Sequence, residues 1–211
     1  MVDVARVQLA LQQAGTGFQL LDHPFYQRWQ RGELTVGDLA DYAVQYRHFE
    51  QLLPGFLGQI AVGVTDERAA GLVAMNLADE AGHLALFDRF AAALGATPGP
   101  ADDATDQLVA TYRALAASSP AHGLAGLAAY EGQAAAVAAT KARGLRDHYG
   151  LDGEAVAFWD VHAELETGHA AWAAEAMASL ETHPDTVFVS ARRAAEAWWS
   201  FLDRREASIT I

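Results

Sequence analysis

An all-α fold is predicted from three observations. No stretch alternates apolar and polar residues with the period of two that a half-buried strand needs. Apolar residues instead recur at helical spacing in segment after segment from Val4 to Phe201. The composition, rich in Ala, Leu, Gln and Glu with only six prolines, favours helix as well. Together these predict about seven or eight helices packed as one bundle. A chain of 211 residues can enclose a substantial core, and the links at 96–101 and 148–153 are too short to separate domains. Residues 1–211 are therefore expected to form a single domain.

Each helix has a local reason. Val4 to Ala14 carries an apolar stripe and stops at Gly15-Thr16-Gly17. Pro24 suits the first turn of a short helix that ends at Gly32. Thr35 is the expected N-cap of the next, with Asp38 three residues on, and Tyr42, Tyr46, Phe49 and Leu53 follow on one side. Pro54-Gly55 is expected to bend this helix rather than end it. Asp66-Glu67 opens a helix expected to run unbroken to Gly95. Ala96-Thr97-Pro98-Gly99-Pro100 is a loop by composition. Further helices are expected over 102–117, 121–147 and 152–181, and a last one after His183-Pro184.

Bulk properties exclude several classes of function. The formal net charge of −13 argues against a nucleic-acid partner, and leaves room for a cationic or amine ligand. The absence of cysteine removes disulfides, thiolate metal sites and thiol nucleophiles. No basic region followed by an apolar run opens the chain, and no apolar stretch reaches about 18 residues, so no membrane partner and a cytoplasmic location are expected.

The chemistry concentrates in Phe158 to His169. His162, Glu166 and His169 stand at i, i+4 and i+7, one stripe of a helix whose neighbours Phe158, Val161, Leu165 and Trp172 are apolar. Two imidazoles and a carboxylate on such a stripe are a metal-ligand set. Two other stretches can meet it: Glu80 and His83, expected on one helix face, and Glu131 within a run of small and apolar residues. Carboxylate-bridged two-metal sites in helical bundles use this combination. Two divalent ions bring about four positive charges against about three negative, which relieves repulsion among the carboxylates. Singly, each piece also fits a solvated helix face; set inside apolar helices together, they fit it poorly. Asp79 and Glu164 flank the ligands and suit a role in orienting an imidazole, or equally face solvent. His23, His48, His122, His148 and His183 are expected to be structural or solvated, and Trp198, Trp199 and Phe201 to pack in the core.

With these residues in view the chain resembles the heme-oxygenase-like di-metal oxidase family, the branch typified by the chlamydial protein associating with death domains. The resemblance is carried by Phe25-Tyr26-Gln27-Arg28-Trp29, Gly32-Glu33-Leu34, Tyr42-Ala43, Asn76-Leu77-Ala78-Asp79-Glu80, Tyr130-Glu131, Lys141-Ala142-Arg143-Gly144-Leu145 and the His162–His169 motif. It implies a seven-helix heme-oxygenase-like bundle and two iron (or manganese) ions held by Glu80, His83, Glu131, His162, Glu166 and His169. It also implies activation of dioxygen with an external reductant, and it admits a homodimer. One group of the family makes 4-aminobenzoate by consuming its own tyrosine with a lysine as nitrogen source; Tyr26, Lys141 and Tyr130 match its positions. That group has a longer insertion between the first glutamate and histidine. The short Glu80–His83 spacing here instead resembles members acting on external small molecules.

The leading expectation is therefore a di-iron oxygenase acting on a small-molecule substrate, an amine or amino-acid-like metabolite, by N-oxygenation in a biosynthetic pathway. Tyr42, Tyr46, Phe49 and Phe158 are expected to line its pocket. Self-sacrificing 4-aminobenzoate synthesis through Tyr26 and Lys141 is the alternative, against which Tyr26 as mere packing and Lys141 as a solvated helix residue must be weighed. A metal-free helical interaction module is a third, disfavoured because unpaired ligand residues destabilise a core.

Overall fold

The computed structural model describes residues 2–209, apart from the side chains of Glu166 and Thr167. Among the described residues the chain is all-helical. The helices are α1 (Val4–Gly15), α2 (Pro24–Arg31), α3 (Val36–Glu50), α4 (Leu53–Gly63), α5 (Glu67–Asp79), α6 (His83–Ala93), α7 (Asp103–Ser118), α8 (Pro120–Tyr149), α9 (Ala157–Ser179) and α10 (Pro184–Ser208). Short 3-10 turns occupy Leu20–Asp22 and Gly153–Ala155. No described helix is long and apolar enough to cross a membrane.

Helix starts follow side-chain chemistry. Asp3, Thr35, Asp66, Asp102 and Ser119 each accept a backbone N–H of the first turn, and Thr35 with Asp38 closes a full capping box. His23 and His183 do the same through imidazole Nδ1, which accepts from Phe25 N and Asp185 N. Both histidines are thus structural, as their place before a proline suggests.

Two long helices expected from the sequence are each interrupted. The first ends at Glu50, and Pro54 lies in the first turn of α4 instead of bending α3. A missing N–H costs nothing there, whereas in mid-helix it would forfeit a bond. The second stops at Asp79 and resumes at His83. Gly82, at φ +104°, takes a conformation closed to L side chains and turns the chain between them. With each interrupted pair counted as one rod there are eight rods among the described residues, one more than the family pattern implies.

Two long helices at the centre of the bundle, α8 and α9, lie against each other; α10 packs on α8, α7 and α1. Around them α5 and α6 pack on α9, and α3 packs on α6. Close approach of α2 to α8 depends on Gly144, where a Cβ would sit 2.8 Å from Trp29 Cδ1. Trp29 Nε1 then donates to the Lys141 carbonyl at 3.3 Å.

Candidate metal centre

Glu80 and His83 do not share one helix face. Glu80 caps the C-terminus of α5 and His83 opens α6, and the Gly82 turn folds them onto each other with His83 Nδ1 donating to Glu80 Oε2 at 2.8 Å. The other Glu80 oxygen, Oε1, lies 3.6 Å from His169 Nδ1. One carboxylate therefore sits between two imidazoles, with an oxygen toward each. His169 Nε2 in turn meets Asp79 Oδ2 at 3.2 Å, which gives Asp79 the orienting contact its position suggested. Glu164 faces solvent.

His162 arrives from α9 beside His83, with ring centres 4.5 Å apart. Its Nδ1 donates to the Phe158 carbonyl at 2.8 Å, which leaves the Nε2 lone pair for a ligand. Burial, and then the neighbouring His83 charge, lower its pKa to about 4, against the weaker pull of Glu80 and the Phe158 carbonyl. It is neutral at pH 7, the form a metal requires. Glu131 is buried on α8 and accepts from Asn76 Nδ2 of α5 at 3.0 Å. The side chain of Glu166, the remaining expected ligand, lies outside the described residues.

The structure adds a residue that the sequence reading passed over. Glu50, at the end of α3, is 2% exposed, and its donor atom lies with those of Glu80, His83 and His162 within 4.8 Å of one another. Its signal was present: Glu50 continues the buried stripe of Leu39, Ala43 and Tyr46 at helical spacing. Bonds of about 2.0–2.2 Å set donors up to about 4.3 Å apart across an ion, so a contraction of about half an ångström closes this set on a metal. Mixed carboxylate oxygens and imidazole nitrogens suit iron or manganese. The residues present fit such an ion.

Beside this cluster lies a second buried group. Lys141, 1% exposed, donates from Nζ to Tyr42 Oη at 2.5 Å. Tyr42 Oη lies 3.0 Å from Tyr26 Oη. The ammonium position stands over the rings of Trp159, Tyr26 and Tyr42, at 4.1, 4.6 and 4.7 Å from their centres. Burial drives the Lys141 pKa well below its usual value, opposed by the negative charge of Glu50, and burial likewise raises Tyr26 and Tyr42. Lys141 is not the solvated helix residue that its sequence context allowed. Tyr46 bonds to Tyr130 through their hydroxyls. The four residues expected to line a substrate pocket, Tyr42, Tyr46, Phe49 and Phe158, are all buried; Tyr46 packs edge-on against Phe158, and the Phe158 ring lies tilted against that of His162.

An all-α bundle that folds buried carboxylates and imidazoles from several helices around one point fits a helical protein of the heme-oxygenase-like class with a candidate metal site. Residues 40–199 match the family described as iron-containing redox enzyme, and the chain belongs to that family. It is 34% identical over 124 residues to a 4-aminobenzoate synthase of Chlamydia trachomatis, covering 54% of each chain. To one of Nitrosomonas europaea it is 36% identical over 139 residues, covering 57% of this chain and 56% of that one. The chain thus spans about half the length of the curated relatives it matches. In fold it is similar to a TenA homolog from Pseudomonas syringae (TM-score 0.84, 13% identity, 96% of this chain and 92% of that one). A CADD-like protein of unknown function from Nostoc punctiforme is similar too (TM-score 0.79, 19% identity, 98% and 99%).

Neutral His162 has a consequence for the metal-free protein. Its folded pKa of about 4 lies below the unfolded 6.5, so between these values the unfolded chain binds more protons and stability rises with pH. Lowering pH from 6.5 to 4 is expected to remove on the order of 3 kcal/mol through this residue. Urea unfolding of metal-free protein at pH 7, 5.5 and 4.5 checks it, with His162→Phe flattening the slope.

Proposed function

We propose that this chain forms 4-aminobenzoate from its own Tyr26, with Lys141 as the source of the amino nitrogen. The observation that carries the reading is the Lys141 amine, enclosed by aromatic rings and joined through the Tyr42 hydroxyl to Tyr26. The relatives named 4-aminobenzoate synthase support it. In this reading Glu80, His83, Glu131, His162, Glu166 and His169 hold two iron ions. Iron there supplies the one-electron chemistry and the activation of dioxygen.

The chain's own residues do the rest. The ring and Cβ of Tyr26 match the carbon skeleton of 4-aminobenzoate. Cleaving Cα–Cβ and taking Cβ to a carboxylate is a net oxidation met by dioxygen, with reductant from outside because no GxGxxG or other nucleotide motif is present. Burial lowers the Lys141 pKa and so favours the neutral amine, whose lone pair the reaction at the Tyr26 ring needs. Tyr42 holds the two groups together and gives the displaced protons a path between the phenol and the amine. The new ring C–N bond replaces the phenolic C–O, whose oxygen leaves as water, and the Lys141 Cε–Nζ bond then breaks by two-electron oxidation to an imine and hydrolysis to the aldehyde, an oxidation also met by dioxygen. The surrounding rings of Trp29, Trp159 and Tyr46 keep water out.

N-oxygenation of an external amine is the second reading, favoured by the short Glu80–His83 link and the acidic balance. One experiment separates the two. Purified protein given ferrous iron, dioxygen and reductant, but no substrate, is expected to release 4-aminobenzoate and to lose mass at Tyr26 and Lys141. An intact mass that stays unchanged, with oxygen uptake stimulated by an added amine, would decide for the second reading.

A further inference from the structure

We propose that Glu50 is itself a metal ligand, so that α3 adds a carboxylate to the set that the family pattern supplies. The inference concerns the iron site of the family and stands whether or not the product is 4-aminobenzoate. The geometry comes first: the Glu50 donor oxygen shares one 4.8 Å cluster with donors of Glu80, His83 and His162, all buried. Because α3 packs on α6, the end of α3 is held against the helix that His83 opens.

The energetics of the position point the same way. Glu50 is 2% exposed, so its charge has lost its water. It is the last residue of α3, where the negative end of the helix dipole disfavours a negative charge. It stands beside a second buried carboxylate, Glu80, which disfavours it again. The arginine one turn back does not offset this, since Arg47 reaches Asp88 at 2.6 Å instead. A divalent cation shared with Glu80 removes all three penalties at once.

Charge balance agrees. Three carboxylates against two divalent ions leave a buried excess of about one positive charge, and a fourth brings the site near neutrality, the cheaper state in a low-dielectric core. The rival role for Glu50 is counter-ion to Lys141, whose charge it attracts. Lys141, however, directs its amine to Tyr42 and lies among aromatic rings.

The test uses chelator-stripped full-length protein titrated anaerobically with cobalt(II), whose ligand-field absorption reports the donor set. Glu50→Gln is expected to weaken cobalt binding at least about tenfold, to change the absorption bands, and to leave metal-free protein no less stable than wild type. The double variant Glu50→Gln/Lys141→Met should bind cobalt as weakly as Glu50→Gln does. Wild-type affinity and spectrum in Glu50→Gln would overturn the proposal. So would recovery of affinity in the double variant, which would make Glu50 a counter-ion only. If Glu50→Gln does not fold, Glu50→Asp keeps the charge and withdraws the oxygens: weaker binding with shifted bands supports a ligand, and unchanged binding refutes it. Product formation enters none of these readouts, so they remain decisive if the 4-aminobenzoate reading fails.

Discussion

On the proposed chemistry, Lys141→Met will abolish 4-aminobenzoate formation and, in the same protein, raise stability. The first effect follows from removing the nitrogen donor, which no other amine in the box replaces; product should fall below detection with the fold intact. The second follows from burial. Desolvation outweighs the attraction of Glu50 and holds the Lys141 pKa well below the ordinary 10.5. Over the interval from that depressed value to 10.5 the unfolded chain binds the extra proton, so wild-type stability rises with pH through this window. Methionine of similar length has no proton to lose and adds apolar contact with Trp159, Tyr26 and Tyr42. In metal-loaded protein the gain at pH 7 should be about 1–4 kcal/mol and should shrink as pH approaches 10.5. Denaturant unfolding at pH 7 and 9.5 measures this, and mass spectrometry measures product. A variant that is less stable at both pH values would mean Lys141 is held as a buried ammonium. A variant that still makes product would remove it as the nitrogen source.

Glu80→Gln should have the largest effect on iron. Glu80 directs one oxygen to His83 and the other toward His169, so it is the one described carboxylate placed to join both imidazoles. An amide offers a single weak oxygen donor and puts an NH2 group against one of the two positions. On the proposed two-iron reading, anaerobic iron content is expected to drop from two ions per chain to one or none, with affinity weakened more than about 100-fold at the site that loses its oxygen. Metal-free Glu80→Gln should meanwhile melt no lower than wild type, because it relieves the repulsion with Glu50. Two irons retained at wild-type affinity would show that Glu80 does not join the ions.

Much of this could be read from the sequence, and the exceptions have physical causes. His162 was legible because a polar side chain set inside an apolar helix stands out, whereas Glu80 and His83, read on one helix face, flank the Gly82 turn instead. Where the helices break was not legible. Pro54 reads equally as a kink or a second-position proline, and the choice turns on packing. Gly82 hid in a helical pattern that merely lacks one side chain. Glu50 was masked by Arg47, His48 and Gln51, which made the end of α3 look solvated. The Lys141 box was beyond any local pattern, since Tyr26, Trp29, Tyr42 and Trp159 reach it from α2, α3 and α9. The heme-oxygenase-like class came from spaced motifs rather than periodicity, and those motifs carried the iron of the family with them.

Tyr26 is packed on every side, 1% exposed among Phe25, Trp29 and Tyr42. On the proposed chemistry each molecule of product carves a hole at that spot. Deleting a buried aromatic ring costs about 3–5 kcal/mol, from a total that for most domains is about 5–15 kcal/mol. A spent chain would therefore be marked by its own weakness, opening more often near α2 and inviting proteolysis, so that exhausted copies are cleared and fresh ones set the yield.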